Sequence, residues 1–446
     1  MKIIIAGAGD VGFHLAELLS YENQNIVLID KDQEVLDHAS THLDILSLRG
    51  DSSSIELLQQ VNVAKADLVL AVTTSEKNNL MTAMVAKKLG AKKTIARVDS
   101  SSYLSKGNSK IFKEMGVDIL ISPQELAAEE ISRLIKQCSF TDIFDFEEGK
   151  LQLAGFTISD HSPLVNMRVA NISEVNPNVE LKPIAILRGN ETIIPEPQTY
   201  LRRNDHIYFI SKKENIDQLT GIIGKKQVAV KNVMILGGTS LGRATAKRLE
   251  QTYNVTLIEK NKERCKELAE EFNKTLIING DSSNLDLLIE EGLNNMDAFI
   301  ALTENSETNI IASLAAKEQG VYKTIAQVEN KEYIHLSQNI GIDTLINKKL
   351  IAANNIFRYV RKGQIEAITS LNGVDAEVIE FVVNKKNYVT KKPLSKLHIP
   401  KKAMIGGIIR GNDSFIPDED FQLNLDDRVI VFALPEAIPK LEKLFR

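Results

Sequence analysis

Cysteine is scarce in this chain: two residues, Cys138 and Cys265, among 446. They stand in non-equivalent places, which excludes a disulfide scaffold and any cysteine-based zinc or iron–sulfur motif and suits a reducing cytosol. Long apolar runs are also missing, none approaching the ~18 to 20 residues that cross a bilayer. The sequence starts directly on a strand-like run, so no signal peptide is expected. The expectation is a cytoplasmic protein, peripheral to a membrane only through a partner. Positive charge is not in excess, and a net charge of −5 gives no reason to expect nucleic acid. No HExxH occurs, and no metal site is expected. None of the seven histidines (His14, His38, His42, His161, His206, His335, His398) has a histidine counterpart in the repeat described below. Acidic groups such as Glu147, Glu148, Asp418, Glu419 and Asp420 read as solvated loops. With 43% hydrophobic and 25% charged residues, the chain is ordinary globular protein, too long for one domain.

What is present is concentrated first in residues 1–30. Lys2-Ile3-Ile4-Ile5-Ala6 runs into Gly7-Ala8-Gly9-Asp10-Val11-Gly12, a helical pattern follows, and a second apolar run ends in Asp30. Strand, glycine turn, helix, strand and acid in this order form the dinucleotide-binding signature of a Rossmann unit. Gly7 makes the tight turn, Gly9 lets backbone approach a pyrophosphate, and Gly12 lets the helix pack close to the sheet. The helix N-terminus offers N–H groups to phosphates, and Asp30, 18 residues beyond Gly12, is placed to accept from a ribose diol. Helices and strands then alternate to a sixth strand ending at Ile121, which calls for a parallel sheet with helices on both faces.

The text then repeats. Gly237-Gly238-Thr239-Ser240-Leu241-Gly242 lies 230 residues after Gly7–Gly12, and Gly280-Asp281-Ser282-Ser283 repeats Gly50-Asp51-Ser52-Ser53 at the same offset. Glu259 answers Asp30, Thr303 answers Thr73, Asn309 answers Asn79, and Lys323–Val328 answers Lys93–Val98. Further on, Leu187-Arg188-Gly189-Asn190 and Ile409-Arg410-Gly411-Asn412 lie 222 apart, as do Asp205 and Asp427. The fold class is therefore α/β, a tandem duplication. Each half is a Rossmann-like doubly wound parallel sheet lobe, a connecting helix and a small α+β lobe. The expected boundaries are 1–121, 122–138 and 139–222 for the first half, a linker at 223–231, then 232–346, 347–363 and 364–446. The connecting helices read as amphipathic, with Leu126, Ala127, Ile131, Leu134 and Ile135 on one side of the first. The second shows Leu350, Ile351, Ile356, Tyr359 and Val360. Each either packs on its own sheet or exchanges with a neighbouring domain.

On these motifs, with Ala71-Val72-Thr73-Thr74, Asn78-Asn79 and Ile95-Ala96-Arg97-Val98, the whole chain resembles the RCK/KTN class. Within it, the duplicated order is similar to the tandem regulators of Trk potassium uptake. The resemblance implies a non-enzymatic regulatory subunit that binds NAD or NADH, with ATP or ADP as alternative ligands at the same site. It implies a homo-oligomeric ring of such domains and an integral-membrane potassium-translocating partner. Carried over by position, the turn Gly7, Ala8, Gly9, Asp10, Val11 would cradle phosphates and Asp30 would hold a ribose. Asp51 and Ser52 would border the adenine, Thr73 and Thr74 would line the pocket, and Arg97 would meet a phosphate. The second-copy set is Gly237, Gly238, Thr239, Gly242, Glu259, Asp281 and Thr303. That copy departs in two places: Thr239 stands at the Gly9 position, where Gly238 could permit an unusual turn, and Gln327 stands at the Arg97 position. The two sites are expected to be unequal. Two alternatives share the Rossmann signature, an NAD-dependent oxidoreductase and a non-catalytic scaffold with a vestigial nucleotide site. For the first, the small lobes lack any recurring Lys–Asp or His–Asp pair close in sequence.

Overall fold

The computed structural model describes residues 1–446 except 21–23, 190, 225–227, 331–332, 334–340, 361–364, 371–375, 387 and 446. The side chains of 148, 217, 358, 360 and 365–370 are also outside the description. Asn190, the linker residues Lys225 and Lys226, His335, Arg361 and the Glu148 side chain therefore lie outside the described residues. Two compact units emerge: Met1–Glu129 with Asn347–Val360, and Glu130–Ile346 with Arg361–Arg446.

The first unit holds strands β1 (Lys2–Ala6), β2 (Asn25–Asp30), β3 (Leu46–Arg49), β4 (Leu68–Ala71), β5 (Thr94–Arg97) and β6 (Ile119–Ile121). They form one parallel sheet in the order β3-β2-β1-β4-β5-β6. Ile3, Ile4 and Ile5 are consecutive and fully buried, as befits a central parallel strand covered on both faces. The chain order reverses direction between β1 and β4, and in such sheets ligands sit beyond the strand ends at that switch. Helices α1 (Asp10–Ser20), α2 (Gln33–His42), α3 (Ile55–Gln60), α4 (Glu76–Lys88) and α5 (Lys106–Glu114) connect the strands, and α6 (Pro123–Lys136) leaves the sheet. Short polar residues set several of the starts: Asp32 caps α2, Ser54 caps α3 and Ser75 caps α4.

The second connecting helix, Lys348–Val360, completes this unit although it belongs to the other half of the sequence, and it packs along α1. Its buried face is Ala352, Ala353, Ile356 and Phe357. Leu350, Ile351 and Tyr359, expected on that face, are only half-buried. The two alanines explain the rotation, because small side chains let helix axes approach and draw the seam toward themselves. The Lys93 ammonium lies 4.9 Å from the Tyr359 ring centroid at the far end of the helix.

In the second unit, β12 (Asn232–Leu236), β13 (Asn254–Glu259), β14 (Leu276–Asn279), β15 (Ala298–Ala301), β16 (Lys323–Gln327) and β17 (Thr344–Ile346) repeat the first sheet, in the order β14-β13-β12-β15-β16-β17. The exchange is reciprocal. The segment that follows α6 docks on this sheet, where the buried Lys323 donates to the Phe140 carbonyl at 2.7 Å and the Thr344 hydroxyl to the Thr141 carbonyl at 2.9 Å.

The small lobes are five-stranded sheets. The first has β7 (Asp142–Phe146), β8 (Leu151–Thr157), β9 (Leu181–Arg188), β10 (Glu191–Ile193) and β11 (His206–Lys212), ordered β10-β9-β11-β8-β7. The second has β18 (Ile365–Ser370), β19 (Glu377–Val382), β20 (Ala403–Arg410), β21 (Asp413–Phe415) and β22 (Arg428–Ala433), ordered β18-β19-β22-β20-β21. They share one apolar core, with Leu151, Leu153, Ile184 and Ile210 from one lobe and Val378, Ile409, Ile430 and Phe432 from the other. The seam is uneven. A Cβ on Gly407 would come within 2.5 Å of Leu151 and 3.1 Å of Ile210, and one on Gly406 within 3.2 Å of Ile184. At an offset of 222, Ile184 is the counterpart of Gly406.

The recurrent aspartates hold each lobe's turn. Asp205 is buried and takes a two-bond contact from Arg188 at 2.8 and 2.7 Å, plus the Arg202 N–H; Asp427 takes the same from Arg410 and the Asn424 N–H. The Asp205 bond pushes the Arg188 guanidinium above its usual range. Replacing Arg188 by Met leaves a buried carboxylate without its counter-charge. The first small lobe should lose about 3–5 kcal/mol in urea unfolding, and Arg410→Met should weaken the second lobe likewise.

Candidate functional site

The three glycines of the first turn do different work. Gly7 has φ +109°, and a Cβ there would stand 2.8 Å from the Thr73 backbone nitrogen, so only glycine passes beneath the end of β4. A Cβ on Gly12 would meet the Gly7 carbonyl oxygen at 1.8 Å. Gly9 is the reverse case: a Cβ there meets nothing within 4 Å. Folding requires Gly7 and Gly12, whereas Gly9 leaves open space above the start of α1. Ala8 and Val11 are buried and Asp10 is exposed. The first N–H groups of α1 have no partner within the helix and lie at this opening.

Asp30 closes one side of the turn. Its Oδ2 accepts from the Ala8 N–H at 2.6 Å and its Oδ1 from the Asp32 N–H at 3.0 Å. Each oxygen keeps a further lone pair, so a diol donor can still be met. Beyond β3, Asp51 is exposed and tied to the Ser53 N–H and hydroxyl and to Lys31 at 3.0 Å, which holds its pKa at about 2. Ser52 turns inward: its hydroxyl is buried with Thr82 at 3.0 Å and the Asn78 amide at 3.1 Å. Ser52 thus offers the edge its backbone, while its hydroxyl is used inside the lobe.

At the ends of β4 and β5 the organising side chain is Asn79, fully buried. Its oxygen accepts from the Thr73 N–H at 2.8 Å and hydroxyl at 2.6 Å, and its amide donates to the carbonyls of Thr73 at 2.9 Å and Arg97 at 3.0 Å. One amide therefore fixes both strand ends. Thr74 beside it is exposed. Arg97 reaches Asp99 at 3.4 Å through Nη2, while its buried Nε has no hydrogen-bond partner among the described residues. An unsatisfied guanidinium N–H at a strand end is costly unless an acceptor arrives.

The second copy keeps the frame. Gly237 has φ +94°, a Cβ on Gly242 would lie 2.0 Å from the Gly237 oxygen, and Asn309 binds Thr303 and the Gln327 carbonyl as Asn79 does. The opening itself has changed. The Thr239 hydroxyl accepts from the Gly242 N–H at 3.1 Å and donates to the Leu302 carbonyl at 2.9 Å, capping the helix that Gly9 leaves uncapped. Gly238 adopts no positive φ; it is needed for closeness, since a Cβ would meet Glu259 at 2.9 Å and Leu268 at 2.6 Å. Glu259, 6% exposed, accepts from the Gly238 and Asn261 N–H groups at 2.7 Å each. Asp281 is half-buried, held below the usual carboxylate range by Lys260 and Ser283. Gln327, buried, donates to Glu329 at 2.9 Å.

Two features were invisible as site residues in the sequence. Asn79 was marked by its recurrence as Asn309 and as part of the Asn78-Asn79 motif, but not as a residue of the site. The other is the ion pair between Asp10 in the turn and Lys349 on the second connecting helix, 339 positions away. Among the described residues, no group of three or more His, Cys, Asp or Glu could hold a metal ion, and no helix is long and apolar enough to cross a membrane.

Family models match this architecture in both copies: the TrkA-N domain over residues 3–123 and 233–348, and the TrkA-C domain over 153–224 and 378–446. The Trk system potassium uptake protein TrkA homolog of Archaeoglobus fulgidus is 35% identical over 449 residues, covering all of both chains. The Trk system potassium uptake protein TrkA of Haemophilus influenzae is 33% identical, covering all of this chain and 99% of its own. Among solved structures, the GsuK channel bound to NAD superimposes with a TM-score of 0.60 at 16% identity, covering all of this chain and 78% of its own, a likeness of fold. With both domain pairs present in order and relatives matched from end to end, the chain belongs to the TrkA family.

Proposed function

We propose that this chain is a regulatory subunit of a Trk-type potassium uptake system, binding NAD(H) or adenine nucleotides in its first Rossmann lobe and acting on an integral-membrane potassium-translocating partner. The observation that carries the reading is the opening at the first turn. Open space over Gly9, an uncapped helix start, the Asp30 carboxylate and an unpartnered Arg97 Nε share one sheet edge. A phosphate-bearing nucleotide meets the chemistry of each. Phosphate oxygens accept from the turn N–H groups and from Arg97, and ribose hydroxyls donate to Asp30. That the relatives carry the name of a potassium uptake protein supports the transport role, and the NAD held by a GsuK channel supports the ligand class.

The role is regulatory rather than catalytic, exerted by a ring of such domains on the membrane partner. A ligand shifts a conformational equilibrium only through its differential affinity for the two states. Nucleotides of different charge at the turn supply such a difference.

The second lobe is the weaker site. Thr239 occupies the helix start, Glu259 is buried and doubly bonded, and no guanidinium stands at position 327. Calorimetric titration with NADH or ATP should find one tight site per chain; two equal sites would refute the assignment. Asp30→Ala and Arg97→Ala should each weaken binding without unfolding the lobe. For Arg97, loss of a charge-assisted contact of about 1.5–3 kcal/mol corresponds to a roughly ten- to hundred-fold weakening.

The transport role is tested in vesicles containing the membrane partner. Potassium flux should change on adding this protein and should respond to a panel of NAD, NADH, ATP and ADP. In the Asp30→Ala and Arg97→Ala variants the response should need correspondingly more nucleotide. Flux indifferent to the protein and to every nucleotide would overturn the proposal.

A further inference from the structure

The first phosphate turn carries an acid of its own. Asp10 lies between Gly9 and Val11, is 71% exposed, and stands at the start of α1, where the phosphates of a bound nucleotide would gather. Like charge at that place opposes a polyphosphate. Its counter-charge comes from the other half of the sequence: the Lys349 ammonium bonds Asp10 Oδ2. Lys349 lies in the first turn of the second connecting helix, whose Ala352, Ala353, Ile356 and Phe357 are buried as the helix packs along α1. The backbone of Lys349 is therefore fixed beside the turn. Its ammonium sits at the end of a flexible four-carbon stem. A compact, rotatable point charge suits the varied oxygens of a phosphate chain better than a rigid fork does.

The pair is peculiar to the first copy. The residue at the Asp10 position of the second turn is Ser240. The strand ends Ile121 and Ile346 align the two connecting helices, and the residue at the Lys349 position of the first is Gln124, which donates to Asp99 at 3.1 Å. Both members of the ion pair are neutral in their counterparts. The charge pair thus follows the same division as the open Gly9 and the guanidinium of Arg97.

Resting on the nucleotide reading above, we propose that Lys349 sets which phosphate chain the first site prefers. Without ligand it balances Asp10. When a nucleoside triphosphate binds, the terminal phosphate, more highly charged than a carboxylate, takes Lys349 from Asp10. The diphosphate of ADP or of a dinucleotide is met by the turn N–H groups and Arg97 and has less need of Lys349. Occupancy by a triphosphate is thereby tied to the helix that the second half contributes, a mechanical link from the site to the rest of the chain.

The test uses the full-length protein and its affinities for ATP, ADP and NAD. Lys349→Met should lower ATP affinity about tenfold or more, the scale of one charge-assisted contact. ADP and NAD affinity should fall clearly less, since Asp10 without its counter-charge opposes every phosphate chain but only the triphosphate also loses a direct contact. Lys349→Arg should restore most of the ATP preference, and Asp10→Asn, which releases Lys349 from its partner, should raise ATP affinity. Unchanged circular dichroism and melting temperature verify that the variants fold, as a side chain 29% exposed at a helix start should allow. Equal losses for ATP and ADP, or none, would overturn the role of Lys349 while leaving the nucleotide site standing. An unsubstituted chain that binds none of the three would instead remove the nucleotide reading, and this proposal with it.

Discussion

The first Rossmann lobe depends on an apolar seam it does not itself encode. Helix α1 begins at the phosphate turn and buries Leu15, Ala16 and Leu19, and the helix that packs along it arrives from the far end of the sequence. Burial of this kind is the dominant favourable term in folding, and here it has a second effect. It fixes a helix from one half of the duplication against the helix that starts at the glycine turn of the other. The reciprocal contacts of Lys323 and Thr344 with the segment after α6 show the same exchange in the second unit.

Much of this architecture was legible in the linear text. Continuous apolar strands, the spacing of Gly7, Gly9 and Gly12, and an internal offset of 230 residues dictated two parallel sheets before any coordinates. Local chemistry writes such features into neighbouring residues. What could not be read depended on distant partners. Whether the connecting helices stay home or exchange is a question of which hydrophobic face meets which. The alanines that decide the seam, Ala352 and Ala353, carry too little hydrophobicity to outweigh Leu350 and Tyr359 in a periodicity count. The direction of the Ser52 side chain was hidden for a related reason. A serine after a strand end looks exposed, and only the positions of Thr82 and Asn78 show that its hydroxyl points inward.

The two copies show how one frame supports different ends. A helix N-terminus leaves N–H groups that need acceptors. In the first copy the turn keeps them open, because residue 9 has no side chain. In the second, Thr239 supplies an oxygen of its own, Gly238 admits Glu259 to the backbone, and the vacancy is closed from within. Asn79 and Asn309 meanwhile make the same bonds in both. The frame of the sheet edge and the capacity for a ligand are thus separable. The buried amides belong to the former, and on the proposed reading Gly9, Arg97 and Asp30 belong to the latter.

The paired glycines of the second small lobe carry a consequence for how such a duplicated protein evolves. Ile184 projects where Gly406 recedes, so the two faces are lock and key rather than mirror images. Joined to a twin of itself, the first face would bring isoleucine against isoleucine, and the second would leave a hollow opposite a hollow. Fusion into a single polypeptide removed the demand for self-complementarity that symmetric assembly imposes. Each half therefore offers the other a complementary face that it does not offer to a copy of itself.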